Sequence, residues 1–188
     1  MPNWCNNRLT LSHPDPAMMQ RALVGFNANA FLGEFLPIPE LLKITAGRAG
    51  ADDSPEQIQL VAAEAANLEH HGFKNWYDWC CVKWGTKWDF GPDSPPARLD
   101  DDGVLRVGFE SAWSPPIAGY AFLTTLGFDV LAYYYEPGVG FCGRFTNEGP
   151  QYYQINGDAD WVKRKIPTDI NEVMGVSDNM PLEEEDEL

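Results

Sequence analysis

The chain has 188 residues, 44% of them hydrophobic and 13% aromatic, and a formal net charge of −15. That length fits one domain with a sizeable core, and the aromatic share excludes a largely disordered chain. The acidic balance, five charges of it in the run 183–187, disfavours nucleic-acid strands and anionic membranes and favours basic partners.

The first seven residues, MPNWCNN, lack the basic and apolar runs of a signal peptide. Arg8 to Ser12 alternates polar and apolar, which predicts a first strand. Asp15-Pro16 opens a helix with a capping carboxylate and a proline at the first helical position, burying Met19, Leu23 and Phe26. Phe31 to Pro39 is apolar and ends in prolines, so it is expected to be a short strand or extended segment over the core. Ser54-Pro55-Glu56-Gln57 is a capping-box helix start. Ile58, Val61, Ala62, Ala65 and Leu68 then form one face, and Gly72 ends the helix.

Asn75 caps a further helix that Gly85 ends, and Lys87 to Phe90 is expected to be a short strand. The stretch from Pro92 to Gly103 is a proline- and Asp-rich loop. Val104 to Glu110 predicts a strand, and Ser114-Pro115-Pro116 caps a helix through Leu126 that Gly127 terminates. Phe128 to Tyr135, a turn at Glu136-Pro137-Gly138, and Gly140 to Thr146 make a hairpin. Strand, helix, strand and hairpin are half of a split βαβ arrangement. Tyr152 to Ile155 predicts an edge strand, Asp169 to Met174 a helical turn or two, and Ser177 to Leu188 a solvated tail.

Tryptophans dominate the candidate chemistry. Trp76, Trp79, Trp84, Trp88 and Trp113 would line a region with Lys83, Lys87 and Glu110 as its polar groups. Such rings most often fill a core; as a function they would form a stacking platform for a base or sugar. Lysines beside tryptophans suit cation–π or anion contacts, or simply lie along the rings with their heads in water. Asp100, Asp101 and Asp102, with Glu183, Glu184, Glu185, Asp186 and Glu187, are the acidic candidates for partner binding. The triplet lacks the alternating ligands of a calcium loop. Cys5, Cys80, Cys81 and Cys142 make no CxxC pair and stand at no zinc spacing from His13, His70 and His71. They are read as reduced thiols in a cytoplasm, and no metal or cofactor is expected. No nucleophile, phosphate-loop or dinucleotide motif occurs. Tyr133, Tyr134 and Tyr135 would offer alternate rings to RNA bases if exposed, without the basic consensus that usually accompanies them.

Four segments together, MPNWCNN, WYDWCCVKWGTKWD at 76–89, FESAWSPP at 109–116 and YYEPGVGFCGRF at 134–145, resemble an Api-like (YubB-like) family of phage- and plasmid-borne uncharacterised proteins. The resemblance implies a ferredoxin-like domain and carries no catalytic residues with it. The expectation is therefore an α+β fold: a ferredoxin-like antiparallel sheet with helices packed on one face. It would fill residues 1–150, with a helical insertion at about 40–85 and an acidic extension over 151–188. The expected function is a non-enzymatic, cytoplasmic interaction protein of a mobile element, binding a basic host protein (of defence or nucleic-acid handling) as an inhibitor or nucleic-acid mimic. The alternatives are a nucleotide-like ligand at the tryptophan-rich region, bound or acted on there, and single-stranded nucleic acid.

Overall fold

The computed structural model describes residues 2–92 and 95–180. Five strands form one antiparallel sheet: β1 (Trp4–Ser12), β2 (Leu105–Ala112), β3 (Asp129–Glu136), β4 (Phe141–Thr146) and β5 (Gly149–Gln154), in the order β2-β1-β3-β4-β5. Among the described residues seven α-helices accompany it: α1 (Pro16–Asn27), α2 (Phe31–Phe35), α3 (Pro55–His71), α4 (Trp76–Lys83), α5 (Ile117–Thr125), α6 (Ala159–Lys165) and α7 (Thr168–Met174). The α+β class and the antiparallel sheet are as expected. Because β2 and β3 both run antiparallel to β1, they are parallel to each other, and α5 joins them across it. That is the split βαβ unit the sequence pointed to.

Strict alternation sends Cys5, Asn7, Leu9 and Leu11 of β1 to one face. There they meet the main helical layer: Met19, Ala22 and Phe26 of α1, Phe31 and Leu32 of α2, Trp79 and Cys80 of α4, and Tyr120 and Leu123 of α5. Phe90 stacks flat on Phe109 with centroids 3.7 Å apart. One buried polar set crosses this side of the sheet. Asn7 donates through Nδ2 to the Cys5 carbonyl and to Ser111 Oγ, both at 2.8 Å, and its Oδ1 accepts from the Tyr120 hydroxyl at 3.4 Å.

The opposite face carries a second core that the sequence did not suggest. Tyr135 and Cys142 pack there against Val162 of α6, Ile170 of α7, Ile166 and Val176. Residues Ser177 to Met180 belong to this packing, with Ser177 9% exposed and Met180 against the cluster, so the tail does not begin at Ser177. The acidic candidates Glu183, Glu184, Glu185, Asp186 and Glu187 lie outside the described residues.

Several local expectations are corrected. Phe31 to Phe35 is helix, because the Asp89 carboxylate accepts from the Leu32 and Gly33 amides at 2.8 and 2.7 Å and caps its start. Spent on that cap, Lys87 to Phe90 forms no strand. Ser114 does not cap α5; its hydroxyl donates to the Gly85 carbonyl at 2.6 Å. The apolar face of α3 points the wrong way: Ile58, Val61 and Leu68 are 60%, 53% and 50% exposed, while Leu60 and Asn67 are buried.

Candidate functional site

Two of the segments singled out in the sequence are tied together at one end of the sheet. Gly85 follows α4 with φ of 85°, and its Cβ position is closed by the Ile117 and Ala118 amides at 3.1 Å, so only glycine fits there. The Gly85 carbonyl takes the Ser114 hydroxyl, Thr86 Oγ1 donates to the Ala112 carbonyl at 3.1 Å, and the Gly119 amide donates to the Trp84 carbonyl at 2.9 Å. These bonds lay Lys87 and Trp88 beside Trp113.

Trp113 has φ of 66°, a left-handed conformation for a bulky residue. Its amide donates to the Asn3 carbonyl at 2.8 Å, which holds the turn as β2 ends. The Lys87 ammonium stands over three rings: 4.3 Å from the Trp88 centroid, 5.2 Å from Trp113 and 5.6 Å from Tyr77. Such distances are those of cation–π attraction. The rings extend outward from there. Trp76 and Tyr77 meet edge to face at 6.0 Å, Tyr77 and Trp113 at 6.3 Å, and Trp88 leans on Trp4 at 6.2 Å. Trp4, Trp88 and Trp113 are 42%, 40% and 41% exposed. Two exposed tryptophans, Trp88 and Trp113, thus share one cation with Tyr77, and Trp4 adds to them through Trp88.

Beside the rings lies a concavity of about 480 Å³ lined by Glu64, Lys74, Asn75, Trp76, Asp78 and Lys87, among others. Asn75 fixes its floor. Its Oδ1 accepts from the Tyr77 and Asp78 amides, which starts α4, and its Nδ2 donates to Glu64. The neighbouring Cys81 thiol is pushed up by burial, and the Tyr77 phenol is raised chiefly by Cys81 beside it. Both stay protonated at neutral pH, so neither is an activated nucleophile.

The structure divides the candidate set. Trp76, Lys87, Trp88 and Trp113 come together. Trp79 and Trp84 are buried in the main core, edge to face at 5.5 Å, with the Trp84 indole donating to the Leu36 carbonyl at 3.0 Å. Lys83 lies over Phe73 at 5.7 Å instead. Glu110 is on the other face of the sheet, in a groove of about 640 Å³ beside Asn6, Arg8, Tyr135 and Met174. Asp100 and Asp102 both pair with Arg106, at the bridge between Leu99 and Leu105, so the triplet closes a turn. Trp4 was absent from the set, whereas Tyr77 stands in the aromatic run from Trp76 to Trp88 that the sequence singles out. Carrying the β1 alternation back from Leu9 would have marked Trp4 as pointing away from the main core, and the structure sets its ring against Trp88.

The three sheet tyrosines offer no free stacking face. Tyr134 and Tyr135 are buried. The Tyr133 hydroxyl donates to Asp169 of α7 at 3.2 Å, and Arg144 pairs with the same carboxylate at 2.5 Å. Cys5 and Cys80 are each pushed up to about 12, and Cys142 to about 11, by burial, and all four cysteines are free. Among the described residues no helix is long and apolar enough to cross a membrane.

No family model matches the chain, and no curated protein does. Among solved structures it is similar to the crystal structure of a protein api92 from Yersinia pseudotuberculosis, described with the family model DUF1281. Identity is 12%, over 84% of this chain and 99% of that one, with a TM-score of 0.41. Its name is of the Api kind that the sequence segments resemble.

Proposed function

We propose that the chain is a binding protein that takes a nucleotide-like ligand on the platform of Trp4, Tyr77, Trp88 and Trp113, with Lys87 as its anion contact. The observation that carries this reading is the Lys87 ammonium, held 4.3 to 5.6 Å from three rings at the mouth of a concavity. A planar base gains about 1–3 kcal/mol on stacking against one such ring. A phosphate would meet Lys87 and Lys74, and the ribose hydroxyls would face Glu64 and Asp78. The charge of −15 sets the ligand's size. Each further phosphate is repelled by the body, so a nucleoside monophosphate fits better than a triphosphate or a strand.

The test is calorimetric titration with a nucleoside, its monophosphate and its triphosphate. The monophosphate is expected to bind best. Trp113→Gly is expected to weaken it at least fivefold, about 1 kcal/mol. Flat titrations with all three, or binding unchanged in Trp113→Gly, would overturn the reading.

The other reading is an acidic interaction protein of a mobile element that engages a basic host protein as inhibitor or nucleic-acid mimic. It has the net charge behind it. The one acidic triplet among the described residues is occupied by Arg106.

A further inference from the structure

The helix α3 is amphipathic by sequence and mounted with its apolar side outward. Successive residues step by 100° around a helix, so Ile58, Val61, Ala62, Ala65 and Leu68 fall within one stripe. Leu60 and Asn67, which fix the helix to the body, fall on the opposite side. Asn67 does this by donating to the Leu41 and Lys74 carbonyls at 2.8 and 3.0 Å. Leu41 itself is 63% exposed. Single exposed apolar residues are ordinary; a stripe running the length of a 17-residue helix marks a surface that something covers.

We propose that a second copy of this chain covers it, α3 packing antiparallel on α3 about a two-fold axis. The stripe is close to self-complementary when reversed. Turning one helix end for end sets Ile58 against Leu68 of the other copy, large against large at each end, and Val61 against Ala65, large against small nearer the middle, with Ala62 near the axis where the helices must come closest. A two-fold interface demands this of its surface. The only charge within the stripe is Glu69, at its C-terminal end. In the antiparallel pair that carboxylate lies beside the other copy's helix N-terminus, where the helix dipole favours a negative charge. A parallel pair would set Glu69 against Glu69. The attraction is apolar and the two bodies are both acidic, so added salt strengthens the dimer, whereas it would weaken a complex with a basic partner.

The experiment is sedimentation equilibrium of the full chain over a wide concentration range, at low and moderate salt. The expected result is a monomer–dimer equilibrium that shifts to dimer with salt. Val61→Glu and Leu68→Glu leave a monomer throughout, which melts as the dilute, monomeric wild type does because both positions are exposed. Gln59→Glu, exposed but off the stripe, still dimerises. Ile58→Cys mixed with Leu68→Cys oxidises to a cross-linked pair more readily than either variant alone. A monomer at every concentration and salt overturns the proposal. So does a dimer that survives Val61→Glu and Leu68→Glu, and so does a dimer whose cross-links form best between identical variants.

Discussion

Two side chains show how single residues set up the platform and the core beneath it. A bulky residue in the left-handed region costs about 1–3 kcal/mol and persists where its surroundings impose it. At Trp113 the surroundings are the Asn3 carbonyl on its amide and the Ser114–Gly85 bond one residue on. Trp113→Gly therefore separates ring from backbone: the chain is expected to melt no lower, or slightly higher, while ligand binding falls. Asp89 works on the inner side. It accepts from the Leu32, Gly33 and Phe90 amides, and Ala at this position would orphan the first two. Urea unfolding is expected to show Asp89→Ala less stable by about 2 kcal/mol. Burial pushes the Asp89 carboxyl up despite those donors. A raised folded-state pKa favours folding on the acid side, so this contribution to stability declines as pH climbs from the ordinary carboxylate value through the raised one. The variant is expected to lose that slope. Neither role was legible in the sequence. Asp89 lies within a run, Lys87 to Phe90, that reads as strand, and its partners lie 56 and 57 residues away.

Elements governed by local signals were legible, and those governed by distant packing were not. The alternation of β1, the Asp15-Pro16 and Ser54-Pro55 starts, the Asn75 cap and the glycine stops are all met in the structure, since each is decided within one turn or one strand. The direction of an amphipathic face is decided elsewhere. The α3 stripe reads as core, yet the body accepts Leu60 and Asn67 and leaves Ile58 and Val61 outside. Helix α6 is short, with Lys163, Arg164 and Lys165 at its end, and its one fully buried residue, Val162, gives too weak a period to notice. It is nonetheless half of the lid over Tyr135 and Cys142. Ile170 of α7, wholly buried in that second core, should matter as much as a residue of the first. Ile170→Ala is expected to cost about 2–5 kcal/mol. Truncating Val173, 44% exposed on the same helix, should move the unfolding midpoint little. Equal effects at the two positions would mean that the second core does not hold.

For the whole molecule, charge is the least balanced property. There are 28 acidic and 13 basic side chains, so most carboxylates have no cation to pair with. The ion pairs that do form are partly or largely exposed. Arg21–Glu34, Lys43–Glu40 and Arg48–Asp52 are each at a surface where such a pair contributes about 0–1 kcal/mol. Salt acts on both terms in opposite directions. It screens the few attractions, lowering stability slightly, and it screens the repulsion among the unpaired carboxylates, raising it. With an excess of 15 negative charges the second term outweighs the first. Thermal melting is therefore expected to move upward as sodium chloride is raised from a few millimolar to several hundred. Each kilocalorie of relieved repulsion gives about 2–4 °C for a chain of this size. Val61→Glu should rise as well, because this repulsion lies within each chain, and the wild type should rise further at concentrations where salt also promotes its pairing. A rise seen in the wild type and absent from Val61→Glu would instead trace to salt-promoted pairing of α3. A fall in both would mean that the ion pairs outweigh the net charge, contrary to the expectation.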